Sequence, residues 1–375
     1  MTAADLSLSR VAVVFGGASP EHDVSILTGL QCERVLSEVG VDVQPLYWTR
    51  TGEWYACARG LEARDFLDGA PKDAARLELR LPSPGFVTKK GLGGVKAMEF
   101  DAALNCCHGG AGEDGGLNSL FDFVALPLTG GPAAAAALGM DKLAFGAVLR
   151  SAGVPVLDRV LVGEQEPPFA GPYIVKPRFG GSSIGIEIVD DWNTAKALAA
   201  SSVQLRQGAV AEAFHEDAVD LNIAYRTAPQ FAVSMLERPL RAGVGIYSYA
   251  DKYMQAEGLV AAPREMPAKV PPEVEARAAA LARQVRDCTD IRGLVRLDFL
   301  LRQDELFVNE VNTIPGAMGL YLWPSGGTSA SQLLLDLLEE TKSLRGRGAP
   351  TSFEPGAALR AAGGISSKLG QIGAV

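Results

Sequence analysis

The chain has 375 residues, 47% of them apolar and 21% charged, with 44 acidic against 35 basic side chains and a formal net charge of −9. These values describe an ordinary globular protein of two or three domains, and the acidic balance argues against non-specific nucleic-acid binding. No apolar run reaches membrane-spanning length, the start MTAADLSLSR lacks the apolar core of a signal peptide, and five cysteines without a CxxC pair read as reduced thiols. The expectation is a cytoplasmic protein with no nucleic-acid or membrane partner.

VAVVFGG, Val11 to Gly17, is a short apolar run ending in two glycines, which predicts a buried strand of an α/β sheet. The following ASPEHDVSILTGLQCERVLSEVG predicts a helix with Ser19 as N-cap, Pro20 and acids in the first turn, and Ile26, Leu27, Leu30 and Val35 near one face. Residues 40–100 mix strand and loop signals and carry little chemistry. NCCHGGAGEDGG then sets His108 among glycines, followed by Glu113 and Asp114. Cys106 and Cys107 beside it read as filling for a buried strand end rather than as a nucleophile. GMDKLAFGAVLRSAGVPV predicts a helix ending at Gly153.

PYIVKPRFGGSSIGIEIV, Pro172 to Val189, reads as a strand bearing Lys176, a glycine and serine loop, and a second strand. Backbone N–H groups and serine hydroxyls of such a loop can close over a polyphosphate, and the absence of GxxxxGK[ST] disfavours a P-loop fold. VAEAFHEDAVDLNIAYR reads as a strand, a polar turn and another strand. PPEVEARAAALARQVRDCTD predicts an amphipathic scaffold helix carrying Val274, Ala278, Leu281 and Val285.

Gly293 to Pro324 is the densest stretch. LVRLDFLL and ELFVNEV predict two strands joined by a polar RQDE turn, with Arg296, Asp298, Glu310 and Asn312 among apolar neighbours. Such groups are rarely buried without a partner, and a divalent cation carrying a nucleotide polyphosphate is one. Strand alternation puts Glu310 and Asn312 on one face, with Asn309 and Val311 on the other. NTIPG then predicts a sharp turn able to bring backbone N–H groups to a ligand. SASQLLLDLLEETKSL predicts a last helix, and the Gly, Ala and Pro-rich tail from Arg345 is expected to be mobile.

Taken in order, FGGASPEHDVSILTG, HGGAGEDG, the MDK of Met140 to Lys142, VKPRFGGSSIG, the KY pair of Lys252 and Tyr253, and RLDF followed by NEVNTIPG resemble the motifs of the D-alanine–D-alanine ligases, a family of ATP-grasp enzymes. The resemblance covers about residues 9–343. It implies an α/β, α+β ATP-grasp architecture: an N-terminal open α/β substrate-binding domain over 1–130, a lid domain over 131–207, a catalytic domain over 208–345, and a flexible tail over 346–375.

The resemblance also implies roles. Glu21 holds the ammonium of the first amino acid and forms a hydrogen-bonded triad with Ser182 and Tyr253, while His108 and Lys252 contact substrate. Lys142, Lys176, Ser182 and Ser183 hold ATP phosphates, Glu212 the adenine amino group and Asp220 the ribose. Asp298, Glu310 and Asn312 hold Mg²⁺, with Mn²⁺ as the alternative, and Arg296 with the Gly316 N–H stabilises the tetrahedral intermediate. Tyr253 points to amide rather than ester formation. The implied reaction activates one amino-acid carboxylate as an acyl phosphate and couples it to a second amine, in a homodimer acting on small amino-acid substrates.

Three departures stand out. Ala213 replaces a customary lysine, Asp220 a customary glutamate, and Tyr321 stands where a serine followed by Leu322 grips the acceptor carboxylate. The expected function is that of a D-alanine:D-alanine ligase of peptidoglycan, hence cell-wall, biosynthesis or of a close relative with an altered acceptor, and Tyr321, with Trp323 alongside, points to the altered acceptor. The alternatives are an ATP-grasp amide ligase of specialised metabolism and a non-catalytic ATP-binding relative.

Overall fold

The structure is a computed structural model that describes residues 8–81, 85–89, 94–240, 263–323, 327–343, 356–362 and 365. Lys252 and Tyr253 lie outside the described residues.

The first sheet has seven strands. β1 (Val11–Gly16) lies parallel between β2 (Val43–Trp48) and β7 (Ala102–Asn105), and β3 (Trp54–Ala56), β4 (Ala75–Arg80), β5 (Gly85–Lys89) and β6 (Val95–Ala97) extend it antiparallel from β2. All of β1 is buried, as its continuous apolar run predicts for a strand covered on both faces. Gly16 and Gly17 have φ of 98° and 91°, and a Cβ at Gly16 would run into the Trp48 carbonyl, so the turn out of β1 needs glycine.

Helix α1 starts at His22 and runs to Glu38, with Glu21 at the cap position. Ser19 is therefore not its N-cap. Its Oγ instead accepts the Glu21 N–H at 2.9 Å and donates to the His108 carbonyl at 2.7 Å, tying the turn before α1 to the loop after β7. One face of the sheet packs against α1 and a late helix, α7 (Ala330–Ser343), through Phe15, Ile26, Leu30, Leu36, Leu334 and Leu338. The other packs against α2 (Gly116–Phe123) through Trp54, Phe86, Leu117 and Phe121.

After α3 (Ala133–Met140) and α4 (Lys142–Ser151) comes an antiparallel sheet in the order β10, β9, β11, β8. Its strands are β8 (Arg159–Leu161), β9 (Tyr173–Pro177), β10 (Glu187–Val189) and β11 (Ala209–Ala213), and α5 (Trp192–Ser201) covers one face. A domain boundary at 207/208 falls one strand early, because β11 pairs with both β8 and β9. The strand, turn and strand read over Val210 to Arg226 are present, and the two strands belong to different sheets.

The third sheet is antiparallel in the order β13 (Ala232–Val233), β12 (Val219–Arg226), β16 (Leu294–Arg302), β17 (Glu305–Asn312). One face packs against α4 and α6 (Pro272–Thr289), where Leu221, Ile223, Leu297, Phe299 and Val308 meet Phe145, Leu149, Ala278, Leu281 and Val285. Gln303 and Asp304, at φ of 49° and 66°, make the two-residue hairpin turn inside RQDE. A short ribbon, β14 (Arg238–Pro239) and β15 (Arg264–Glu265), lies beside β12. Residues 345–375 form a separate unit in which helix α8 (Ala357–Ala362) is described; most of the predicted tail lies outside the described residues.

Candidate active site

The face of the third sheet that turns away from its core carries polar side chains in register. Glu310 is opposite Asp298, Asp298 opposite Asn222, and Asn222 bridges to Glu237; one row along, Asn312 is opposite Arg296. Side chains of directly paired residues share a face, so a continuous band of acids and amides crosses four segments. The Arg296 guanidinium donates to both Asp298 oxygens, at 2.6 and 2.9 Å. Alternation holds for Glu310, Val311 and Asn312, and Val311 is buried in the core. It breaks at Asn309, because a bulge moves the pairing from Asp298↔Glu310 to Phe299↔Val308. Asn309 Oδ1 accepts from Lys176 at 3.1 Å and its carbonyl from Arg159 at 3.0 Å.

The donor set fits a hard cation. Asn312 Nδ2 is buried without a hydrogen-bond partner, a position better served by the amide oxygen once a cation is present. Among the described residues no three His, Cys, Asp or Glu side chains converge to hold a metal. Two carboxylates and one amide oxygen, completed by phosphate oxygens and water, suit Mg²⁺ rather than a closed structural site.

Two cations grip Glu212, which is only 1% exposed. Arg159 Nε donates to Oε1, Lys176 Nζ to Oε2 at 2.8 Å, and another Arg159 nitrogen to the Lys142 carbonyl. Burial alone would raise the Glu212 pKa, but Arg159 and Lys176 hold it down at about 2. Both carboxylate oxygens are thus engaged by protein cations at the residue expected to meet adenine. Asp220 lies on β12 two residues before Asn222, on the same face.

Lys142 Nζ donates to the Gly180 carbonyl and stands 3.8 Å from Glu310. Burial lowers its pKa and Glu310 opposes the drop. Asp141 caps α4 by accepting the Leu143 and Ala144 N–H groups, and Arg178 grips its carboxylate at 2.8 and 2.5 Å. Lid loop and helix are therefore joined from both sides.

That loop leads to Glu21. Ser182 Oγ donates to Glu21 Oε1. Ser182 and Ser183 have φ of 54° and 57°, a conformation costing L residues about 1–2 kcal/mol each, which fits a loop held for function. A Cβ on Gly109 would stand 2.6 Å from Glu21 Oε2, so the glycine after His108 gives this carboxylate its room.

His108 itself has a different job from the expected substrate contact. Its Nδ1 lies 2.8 Å from the Ile314 carbonyl and its Nε2 2.8 Å from Thr28 Oγ1. A carbonyl only accepts, so the Nδ1 position carries the proton and the Thr28 hydroxyl donates to Nε2. Burial depresses the pKa to about 4, which keeps the ring neutral. Both nitrogens are spent on protein partners, and the histidine fixes the turn beyond β17. Glu113, quoted within its motif but given no role, does the same: Oε1 accepts the Ile314 N–H at 3.1 Å and Oε2 the Gly109 N–H at 2.9 Å. Burial first and the nearby Glu21 second raise its pKa to about 7.

The turn held this way starts at Thr313. After Pro315 and Gly316, residues Ala317, Met318 and Gly319 take φ of 50°, 53° and 61°, three left-handed residues in succession, with the Ala317 N–H donated to Thr28 Oγ1 at 3.3 Å. Tyr321 follows. Its hydroxyl donates to Glu237 Oε2 at 3.2 Å and the Arg264 guanidinium lies over its ring, 4.4 Å from the centroid. Burial pushes the phenol up to about 12, so it remains a donor. Leu322 is fully buried in the core shared with α1 and α7.

The five cysteines are free thiols, and burial pushes the Cys107 thiol up to about 12, which suits packing rather than nucleophilic attack. Arg159, Thr28, Glu237 and Arg264 were not anticipated: each is far in sequence from the residue it holds, and nothing local marks it.

The family model described as D-ala D-ala ligase N-terminus matches residues 10–131, and that described as D-ala D-ala ligase C-terminus matches residues 135–339. The chain is 31% identical over 370 residues to a D-alanine–D-alanine ligase of Streptomyces avermitilis, covering 88% of this chain and 93% of that protein. It is 30% identical over 366 residues to one of Mycolicibacterium smegmatis, covering 91% and 97%. Among solved structures, the VanG D-Ala:D-Ser ligase from Enterococcus faecalis shares the fold at a TM-score of 0.74 and 24% identity, over 89% of this chain and 99% of that one. The D-alanine–D-alanine ligase from Helicobacter pylori does so at 0.68 and 22%, over 91% and 99%. Matched by family models in both its halves, and 30–31% identical to D-alanine–D-alanine ligases over most of its length, the chain belongs to the D-alanine–D-alanine ligase family of ATP-dependent ligases that form a C–N bond.

Proposed function

We propose that this protein joins two amino acids: ATP phosphorylates the carboxylate of the first with release of ADP, and the amine of the second displaces phosphate from the acyl phosphate. The observation that carries the reading is the continuous contact path from Asp298 and Glu310, through Lys142 and Gly180, to the Ser182–Glu21 pair. It joins a polyphosphate-binding surface to a carboxylate suited to an ammonium. Catalysis in such a site is positioning and charge stabilisation, with little covalent chemistry left to the protein.

In this reading Glu21 binds the donor ammonium, and Lys142 and Lys176 with the Ser182 and Ser183 loop hold phosphates. Asp298, Glu310 and Asn312 hold Mg²⁺, or Mn²⁺ in its place, which when bound neutralises phosphate charge. Arg296 and the Gly316 N–H face the oxyanion, and Glu113 and His108 fix the backbone that presents it. Lys252 is assigned to substrate contact and Tyr253 to the third place in the triad, both by their motif alone. Glu212 and Asp220 serve the adenosine, Glu212 through the cations that it orders. A homodimer and a cytoplasmic setting complete the expectation; no described helix is long and apolar enough to cross a membrane.

A second feature favours an acceptor other than D-alanine. The Tyr321 hydroxyl is tied to Glu237, so its ring is held in the acceptor region rather than free to swing aside. The test is ATP-to-ADP turnover with Mg²⁺ and D-alanine alone, followed by a panel of D- and L-amino acids, with mass spectrometry of the products. Turnover that rises with another amino acid supports the reading. Clear preference for D-alanine overturns the altered acceptor, and no turnover with any amino acid overturns the ligase.

A further inference from the structure

Beside the turn that presents the Gly316 N–H lies a charged cluster that ATP chemistry does not use. Glu237 is 3% exposed, and its two oxygens accept from Arg264 Nη1 at 3.1 Å, from Asn222 Nδ2 at 3.2 Å and from the Tyr321 hydroxyl at 3.2 Å. Its charge is thus offset by one guanidinium, and its role is to brace two side chains.

What it braces is turned towards the acceptor. The amine must attack a carbon held against Arg296 and the Gly316 N–H, and the α-carboxylate of an amino-acid acceptor lies only two bonds from that amine. It therefore falls beside Tyr321, five residues after Gly316. The Tyr321 hydroxyl is committed to Glu237 and Arg296 is committed to Asp298. A carboxylate arriving next to Glu237 would be repelled unless a cation stood between them. Arg264 is that cation: it lies over the Tyr321 ring and its side chain keeps 26% of its surface open. A guanidinium presents five N–H donors in a planar fork that matches a carboxylate, and stacking on an aromatic face fixes its plane.

We propose that Arg264 is a specificity-determining residue of the acceptor site: laid on the Tyr321 ring and braced by Glu237, its guanidinium binds the carboxylate of the acceptor amino acid. The assignment rests on the ligase reading above. It makes the acceptor an amino acid, not a simple amine, and gives Tyr321 the role of a platform instead of a hydroxyl donor.

The experiment separates the two claims. With the full-length protein, ATP and Mg²⁺, hydroxylamine in place of the acceptor traps the acyl phosphate as a hydroxamate and reports donor activation alone. Each amino-acid acceptor is then compared with its own carboxamide. The wild-type protein favours the acid, and R264M loses that preference by about 10- to 100-fold in kcat/KM, the scale of one charge-assisted hydrogen bond, through a raised acceptor KM. Y321F, which keeps the ring, retains the acid preference. R264Q repeats the measurement should R264M fail to give hydroxamate. An unchanged acid-to-amide ratio in a variant that still forms hydroxamate overturns the assignment. Absence of hydroxamate from the wild-type protein with every donor overturns the ligase reading, and the assignment with it.

Discussion

Glu113→Gln isolates the energetics of the clamp that holds the oxyanion turn. The carboxylate accepts N–H groups from Gly109 and Ile314 and faces the like charge of Glu21, and burial with that repulsion raises its pKa from 4.5 to about 7. A carboxyl whose pKa is higher in the folded state binds its proton more tightly when folded. Its contribution to stability is therefore complete below about pH 4.5 and is lost as pH rises through about 7. The full shift corresponds to about 3 kcal/mol, and the partial solvent contact of this half-buried side chain brings the expectation to about 2 kcal/mol. Glutamine removes the titration and turns one acceptor into a donor facing an N–H, at a cost of about 1–2 kcal/mol that does not vary with pH. The two stability curves should cross: near pH 5 the wild-type protein is the more stable, and by about pH 8 the difference has closed or reversed. Urea unfolding across that range checks it. Parallel curves would refute both the titration and the assignment of Glu113 as the clamp.

Other expectations follow from single contacts. Asp298→Ala and Glu310→Ala should each lower turnover by at least about a thousandfold, on the order of 4 kcal/mol, while leaving the urea midpoint close to wild type; near-normal ATP cleavage in either variant would remove the cation site from Asp298, Glu310 and Asn312. Glu212→Ala leaves Arg159 and Lys176 facing each other in a buried setting, so unfolding should become easier by about 3–5 kcal/mol, read as a shift of the denaturant midpoint. Gly109→Ala puts a methyl group 2.6 Å from Glu21 Oε2 and 2.8 Å from Ser19 Oγ at a φ of 66°, so the donor KM should rise by about tenfold in steady-state kinetics, with ATP affinity by calorimetry unchanged.

Much of the fold was legible because its signals are local. The apolar run of β1 ending in glycines, the hairpin turn inside RQDE and the four-residue face of α6 each answer to neighbours within a few positions. The polar band of the third sheet was legible for the same reason: alternation alone pairs Glu310 with Asn312, and the hairpin puts Asp298 opposite Glu310. The misreadings are all non-local. Ser19 precedes a helix and has the chemistry of a cap, yet its hydroxyl is claimed by the His108 carbonyl 89 residues away. A boundary at 207/208 misses that β11 is held between β8 and β9 while β12, a short turn later, pairs with β16 in another sheet. The bulge at Asn309 carries no sequence mark, and it is what brings that side chain to Lys176.

His108 shows how a motif can be legible while the contacts its side chain makes are not. A histidine among glycines invites a ligand, but two hydrogen bonds exhaust its nitrogens, and both partners serve the turn 206 residues later: the Ile314 carbonyl directly, and Thr28 through the Ala317 N–H. Three successive left-handed residues in that turn need such anchoring, because strain of about 1–3 kcal/mol per residue persists only where the surroundings over-determine it. The anchors come from the N-terminal sheet and the reacting groups from the C-terminal one. Displacing either part moves the Gly316 N–H and Tyr321 together. In the proposed site one backbone segment carries both the oxyanion and the acceptor contacts, so substitutions in Thr28, His108 or Glu113, which anchor that segment, should change acceptor selectivity as well as rate.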